Sequence, residues 1–444
     1  MRCCCLREPK FTGTEPRDAS DDTVRDAPPD APPDAPPMAD CPAGLQDVRV
    51  TTNGTGARVC GPRYQVEFGQ GGAHFPYQLI VDGMHLVADG VECNDERGIG
   101  LALHPSLRIN GEDAPQVTST LAVELGSTTD AIVKIALTWN AAYACGGGAA
   151  VGELGRRSTF TFLPDGQIHR FDRIEHPATV TSGNCSSCRP ASQGSPFYLT
   201  SYTTLAVDMG GYQILGATGG NQNALTTYGQ SINAGEDVCI TTRGRHVGFG
   251  WYGDNTQLAN PSRVRVVRTP MAGQAGAIAF IFDQLNNATQ ITPTNAATLL
   301  ETTMIVGSSD TNCAAVLSRV ATHRENRLLH VVRGTDQFDI APNLDGIYGG
   351  ERPDGTVSYD IPGVPDSPFT MSIPAGGQPI VGGFAVWFDF ASFYPNITAV
   401  RTPASANPNW IRFQHAPPPN QSQVVFWFPD GLGVGQTITI DPSP

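Results

Sequence analysis

The sequence predicts an all-β protein: a large β-sandwich followed by a smaller C-terminal β-sandwich, with few short helices. Glycine and proline are abundant, at 49 and 36 of 444 residues, and charged residues make up only 16%. This composition is typical of short strands joined by tight turns. Polar and apolar residues also alternate with a period of two over many short segments. The chain exceeds the roughly 250–300 residues that one hydrophobic core serves, which predicts two folded domains.

The first 40 residues predict a disordered tether. Residues 8–40 contain only isolated apolar side chains, and residues 26–37 are three consecutive Asp-Ala-Pro-Pro units. Such a segment buries too little surface to offset its conformational entropy, and its prolines favour extended polyproline II. We therefore expect residues 1–40 to act as a spacer, of which residues 6–40 reach roughly 100 Å at about 3.1 Å per residue.

The cysteines and the tether predict a location outside the cytoplasm. Cys3, Cys4 and Cys5 cluster at the N-terminus, and the remaining cysteines form an even set in the folded region, which predicts disulfides. Asp-Ala-Pro-Pro repeats after an N-terminal cysteine resemble the tethers of surface lipoproteins and secreted proteins in myxobacteria and related GC-rich bacteria. The resemblance implies secretion, or anchoring at the cell surface or outer membrane by a lipid on Cys3, Cys4 or Cys5.

The extreme N-terminus departs from that pattern. Residues 1–7 are too few to hold the apolar core of a secretory signal. We expect the true start codon to lie upstream; the alternative is a cytosolic protein with an unusual N-terminus.

Residues 41–327 carry the strand pattern of the larger domain. Residues 63–68 alternate polar and apolar, and segments 78–81 and 84–87 flank Asp82-Gly83, which predicts a tight hairpin. The strand predicted at 277–283 is apolar at every position from 277 to 282, which predicts a central strand covered on both sides. Helices are expected near 295–305 and 313–326, the second capped by Asp310 or Thr311. Further strands are predicted at 119–125, 131–139, 158–163, 167–174, 197–207, 212–216, 236–240 and 263–268.

Residues 328–444 predict a second, compact β-sandwich. Gly and Pro turn signals separate its short apolar segments at the spacing expected of a domain of about 100 residues. The related sequences 162–166 (Phe-Leu-Pro-Asp-Gly) and 428–431 (Phe-Pro-Asp-Gly) are interpreted as hairpin turns after aromatic strands. Its strands are predicted near 328–333, 356–360, 368–373, 384–390, 410–414, 423–428 and 436–441.

The first candidate site lies on the strand predicted at 167–174. Alternation puts His169, Phe171 and Arg173 on one face, and neither face is uniformly apolar. A sheet face that binds a polar ligand has this character, with His169 able to transfer protons and Arg173 able to pair with a carboxylate. The alternative is an edge strand that carries solvated charges.

The second candidate site is a predicted loop at residues 248–255. Trp251 and Tyr252 stand among glycines and are followed by Asp254 and Asn255. Aromatic rings beside carboxylate and amide groups stack on sugars and form hydrogen bonds with them. The alternative is that both rings fill the end of the sandwich, because large aromatic side chains are mostly buried.

Residues 69–74, the hairpin after them and residues 159–166 resemble the galactose-mutarotase-like supersandwich, which occurs in sugar epimerases and in domains of polysaccharide lyases. The resemblance covers about residues 46–300 and implies a supersandwich fold. The signature strings of the epimerases are missing from the sequence, so no catalytic role is transferred.

Other motifs argue against metals, cofactors and nucleic acids. The single C-x-x-C motif, Cys185 to Cys188, predicts a small disulfide rather than a zinc or redox site, and the acidic segment 89–96 matches no calcium loop. G-x-S-x-G, H-E-x-x-H, P-loop and dinucleotide motifs are missing. The net charge of −14 does not suit nucleic acid, and no apolar run is long enough to span a membrane.

Three functions fit the sequence. The favoured one is binding of a carbohydrate or another cell-envelope ligand, with no assigned catalysis. The second is a polysaccharide lyase or sugar epimerase in which His169 is the general acid or base and Arg173 neutralises a uronate carboxylate. The third is a structural or adhesive surface protein, in which Trp387, Trp410 and Trp427 serve only the C-terminal core.

Overall fold

The structure is a computed structural model in which every regular element is a β-strand and the described residues contain no helix, which confirms the all-β class. The strands form five sheets that hold strands β1–β29. The described residues are 40–53, 56–68, 76–81, 84–87, 104–109, 112–113, 116–125, 132–144, 150–176, 197–207, 212–215, 221–222, 230–232, 237–242, 245–254, 263–267, 278–291, 297–309, 327–342, 358–361, 367–390, 392–415 and 422–442.

The N-terminal sheet is an antiparallel meander of five strands in chain order. The Cys41–Cys60 disulfide ties the chain before the first strand to the end of the second. The predicted hairpin is confirmed, because the fourth and fifth strands pair antiparallel; its turn, residues 82–83, lies outside the described residues. The strands are β1 (Arg49–Thr52), β2 (Ala57–Cys60), β3 (Tyr64–Phe68), β4 (Pro76–Val81) and β5 (Met84–Val87).

The nine-stranded sheet is the largest layer of the molecule. Its order is β14-β13-β16-β17-β20-β11-β10-β9-β8, so that β20 and β11 lie in the interior. Its strands are β8 (Gln116–Leu125), β9 (Val133–Ala144), β10 (Ala150–Phe162), β11 (Ile168–His176), β13 (Tyr212–Leu215), β14 (Asn221–Gln222), β16 (Asp237–Thr242), β17 (Arg245–Asp254) and β20 (Ala297–Ser309).

The helix predicted at 295–305 is wrong, since most of it belongs to β20. β20 pairs with β11 on one side and β17 on the other, and it contains β-branched residues such as Thr302, Thr303 and Ile305. Two ladders of long-range hydrogen bonds outweigh the weak helical preference of the segment. The second predicted helix, 313–326, with its caps Asp310 and Thr311, lies outside the described residues.

The six-stranded sheet has the order β15-β18-β19-β12-β6-β7. The central position predicted for 277–283 is confirmed, because β19 pairs with β18 and β12. The strands are β6 (His104–Ile109), β7 (Glu112–Asp113), β12 (Phe197–Val207), β15 (Gln230–Ile232), β18 (Arg263–Val267) and β19 (Ile278–Ile291).

Two C-terminal sheets enclose one apolar core, the C-terminal core, which takes alternate residues from both. Phe384, Phe426 and Phe428 from one sheet meet Met371 and Ile438 from the other, all fully buried. The five-stranded C-terminal sheet holds β22 (Asp336–Ile340), β21 (Leu329–Arg333), β24 (Phe369–Ser372), β29 (Thr437–Asp441) and β26 (Thr398–Thr402). The four-stranded C-terminal sheet holds β23 (Ser358–Ile361), β25 (Phe384–Asp389), β28 (Gln423–Phe428) and β27 (Arg412–His415). The domain boundary at residues 327 and 328 stays a prediction.

The two Pro-Asp-Gly turns behave differently. Residues 163–167 join β10 to β11 as a hairpin, as predicted, with Gly166 at a φ of +89°. The turn after β28 is not a hairpin: it leads to Leu432, which bridges Ile380, and then to β29 in the other C-terminal sheet. A Cβ on Gly431 would lie 2.3 Å from the Ile380 carbonyl oxygen, so this crossover requires glycine.

Candidate functional site

β11, which carries His169 and Arg173, is an interior strand. It pairs with β10 on one side and with β20 on the other over nearly its whole length. The alternative of an edge strand with solvated charges is therefore wrong. Its ionisable residues therefore lie in the interior of the largest sheet, and their chemical role depends on how deeply they are buried and on the side chains around them.

Register across β9, β10, β11, β20 and β17 defines one side of this sheet, which we call the polar face. Side chains directly opposite one another in paired strands belong to the same face, and the faces alternate along each strand. The row through His169 joins Lys134, Thr161, Ile305 and Gly250. The polar face continues with the row of Ala136, Thr159, Phe171, Thr303 and Tyr252 and then with the row of Thr138, Arg157, Arg173, Glu301 and Asp254.

The last of these rows, the charged row, places four ionisable residues on four adjacent strands. Asp254 stands opposite Glu301, Glu301 opposite Arg173, and Arg173 opposite Arg157. Two acidic positions are thus followed by two basic ones. The sequence analysis identified Arg173 and Asp254 but missed Glu301, which it assigned to a helix, and Arg157.

The predicted loop at 248–255 is wrong, because residues through Asp254 belong to β17. β17 lies between β16 and β20, whose ladders hold the glycine-rich segment extended. Register puts Tyr252 and Asp254 on the polar face, together with His169 and Arg173, and puts Trp251 in the alternate row with Met304 and Arg170. Asn255 lies outside the described residues.

The opposite face of β10 and β11 is covered by the N-terminal sheet. Phe68 packs edge-on against Phe160 and Phe162, with ring centroids 5.3 and 6.1 Å apart. The Tyr64 hydroxyl donates to the carbonyl oxygen of Leu163 at 3.0 Å, and burial, with a smaller effect of Asp165, raises the pKa of this phenol well above its usual value. Arg170 is fully buried there, 5.6 Å from the centre of the Phe160 ring.

One end of the polar face is covered by the four-stranded C-terminal sheet. The Lys134 ammonium lies 5.9 Å from the centre of the Trp387 ring. The amide of Gln414 donates to the carbonyl oxygen of Ile132 and accepts from its N–H, both at 2.8 Å. The contact is completed by an apolar cluster of Ile132, Leu163, Ala385, Trp387, Val425 and Trp427.

This contact changes the role expected for two tryptophans. Trp387 and Trp427 belong to the cluster against the nine-stranded sheet and not to the C-terminal core, so the expectation that they serve only that core is wrong. Trp410 does pack against the C-terminal core. β25 and β28 are apolar at nearly every position, so both of their faces are apolar, but only the tertiary structure shows what the second face covers.

Side chains on the polar face are most buried at the end that the four-stranded C-terminal sheet covers, and they become more exposed with distance from it. Lys134, Thr159 and His169 are buried, whereas Arg157 is half-buried and Thr138 is exposed. The Thr159 hydroxyl is buried, and it has no hydrogen-bond partner among the residues that the structure describes. The face therefore opens toward solvent at the Thr138 end of the charged row.

The described residues contain no group of three or more His, Cys, Asp or Glu side chains arranged to hold a metal ion. Within the same residues, no helix is long and apolar enough to cross a membrane.

Comparison with known proteins gives structural matches only. No family model matches the chain, and no curated protein matches its sequence. Galactose 1-epimerase from Lactobacillus acidophilus NCFM superposes with a TM-score of 0.34 and 8% identity, over 57% of this chain and 94% of the epimerase. Heparan sulfate lyase HepC from Pedobacter heparinus gives 0.35 and 10% identity over 75% of this chain, which spans only 42% of the lyase.

A GalM/aldose epimerase homologue from C. elegans gives a TM-score of 0.30 and 9% identity, over 60% of this chain and 99% of the homologue. By name, these neighbours are an epimerase, an epimerase homologue and a lyase. At these TM-scores and identities, neither a residue role nor a function is carried over from them.

Proposed function

We propose that this protein binds carbohydrate, or a similarly hydroxyl-rich ligand of the cell envelope, on the polar face of the nine-stranded sheet. The observation that supports this most is the charged row, in which register aligns Asp254, Glu301, Arg173 and Arg157. Two acidic and two basic positions in line across a sheet offer both acceptors and donors to a polar ligand.

The residue types suit an acidic sugar. Carboxylates accept hydrogen bonds from sugar hydroxyls, and a guanidinium pairs with a carboxylate through two parallel hydrogen bonds. Arg157 and Arg173 would receive the acidic group, and Asp254 and Glu301 would receive the hydroxyls. Tyr252, in the neighbouring row, adds an aromatic group of the kind that stacks on sugar rings.

Burial of His169 favours binding over catalysis. Its side chain has 0% exposure, whereas a general acid or base must come within hydrogen-bonding distance of its substrate. The lyase or epimerase alternative requires the layers to move apart before His169 meets a sugar.

We also propose that the protein works outside the cytoplasm, held by a lipid on Cys3, Cys4 or Cys5 or secreted without one. The Cys41–Cys60 disulfide supports this location, because disulfides persist in oxidising compartments.

A glycan-array screen of the full chain, followed by titration calorimetry with the best ligand, tests the binding proposal. Arg173→Gln is expected to weaken binding of an acidic glycan by about tenfold or more, because a charged hydrogen-bonded pair is lost. Arg156→Gln is the matched control, since register puts Arg156 opposite Ile174 in the alternate row. Equal losses in both variants, or no bound glycan, would contradict the proposal.

A further inference from the structure

A buried arginine lies beside the C-terminal core. Arg401 lies on the edge strand β26 opposite Ile438, a fully buried residue of the C-terminal core. Arg401 itself is 8% exposed. Register thus puts Arg401 on the face of β26 that is turned toward the C-terminal core.

The hydrogen bonds of this guanidinium are incomplete. Nη2 donates to Oε1 of Gln436 at 2.7 Å, and the same oxygen accepts from the N–H of Gly433 at 2.7 Å. Nη1 is buried, and within the described part of the chain it has no hydrogen-bond partner and no ion-paired carboxylate. A neutral amide oxygen, already shared with the backbone, is the acceptor that the described residues provide.

This arrangement is unfavourable unless an anion completes it. Arginine stays protonated at every accessible pH, so it cannot lose its charge as a buried lysine can. A buried cation without a counter-charge is strongly disfavoured, and an unmatched buried donor in a native fold calls for an acceptor. The planar fork of the guanidinium matches the two oxygens of a carboxylate.

We propose that Arg401 anchors an anion site at the open margin of the C-terminal sandwich, which takes the carboxylate of a small acidic ligand. The adjoining turn, residues 433–436, borders the site, and Val434 in it is 67% exposed, so the margin faces solvent. Gln436 holds Nη2 and leaves Nη1 for the ligand oxygen. The site lies on a different sheet from the charged row, so each proposal stands or fails alone.

Thermal unfolding of the full-length protein at constant ionic strength tests this site. The ligands are acetate and glucuronate, and the controls are chloride, which is an anion without a carboxylate, and glucose, which is a sugar without one. Both carboxylates are expected to raise the Tm by about 2–4 °C near saturation, because a ligand that binds only the folded state stabilises it. Chloride and glucose are expected to leave the Tm unchanged. Arg401→Gln should abolish the response.

Arg333→Gln is the matched control, because Arg333 lies on the same sandwich and pairs with its own carboxylate, Asp336, at 3.2 Å. This variant should keep the full response to acetate. Arg401→Lys serves as the test if the glutamine variant does not fold. It keeps the positive charge but loses the planar guanidinium group, so the affinity for acetate should fall about tenfold.

Two results would overturn the anion site. One is an equal rise in Tm for all variants, which would show a general salt effect. The other is no rise in the Tm of the native protein with either carboxylate, whatever the Tm of Arg401→Gln, which would show that no acidic ligand binds at Arg401.

Discussion

The C-terminal core and the buried part of the polar face are both closed to solvent, yet they are built from different residue types. The C-terminal core is formed by aromatic and aliphatic side chains such as Phe384, Phe426 and Ile438. The polar face buries Lys134, Thr159 and His169 within two neighbouring rows. Apolar burial stabilises the fold directly, whereas polar burial carries a desolvation cost that each group must recover through partners. The first region therefore stabilises the fold directly, whereas the stability of the second depends on the partners of its buried polar groups.

The largest expected effect is in the C-terminal core. Phe426→Ala should lower the free energy of unfolding by about 3–5 kcal/mol, because it removes a fully buried ring and leaves a cavity. Denaturant unfolding monitored by tryptophan fluorescence measures it. Phe413→Ala is the control: this ring contacts Phe426 but is 39% exposed, and its loss should cost less than about 2 kcal/mol. Similar costs for both variants would show that the core relaxes around the cavity.

An intermediate effect is expected at the contact between the polar face and the C-terminal sandwich. Gln414→Ala should cost about 2 kcal/mol in the free energy of unfolding, because the N–H and carbonyl of Ile132 lose their partner in a buried place. Thermal and denaturant unfolding measure it, with the exposed Gln337→Ala as control. An unchanged free energy of unfolding would indicate that water takes over the hydrogen bonds that the Gln414 side chain makes to Ile132.

The smallest expected effect is on the polar face, and it distinguishes the two regions best because the substitution is expected to stabilise the protein. Thr159→Val should raise the free energy of unfolding by about 1 kcal/mol, since it removes a buried hydroxyl that has no hydrogen-bond partner among the described residues. Thr161→Val, one row away, replaces the hydroxyl of a residue that does have a partner and should be destabilising. A Thr159→Val variant that is less stable than the native protein would show that the Thr159 hydroxyl stabilises the fold.

Much of the strand pattern was predictable because alternation is local. The strand predicted at 197–207 coincides with β12, and 423–428 coincides with β28. Failures came where pairing across the sheet overrode local preference: β20 resembles a helix in isolation, and the glycines of β17 resemble a loop. Both strands are held by ladders from two neighbours that are distant in sequence.

The candidate site was predictable in part. Alternation alone grouped His169 with Arg173, but it could not add Tyr252 and Asp254, which lie about eighty residues further along the chain and join the same face through β20. Lys134 stands out in the sequence because it is one of only two lysines in the chain. The sequence does not predict, however, that its ammonium group lies against the ring of Trp387.

The sequence by itself determined the class of this protein: frequent Gly and Pro turns between alternating segments assemble into sheets, because period-two side chains bury one face of a strand. Only the tertiary structure decided which strands are neighbours, which rows their side chains share and which faces are covered. Those features depend on contacts between residues far apart in the chain, and local propensities carry no record of them. The charged row and the buried Arg401 both belong to this second kind of information.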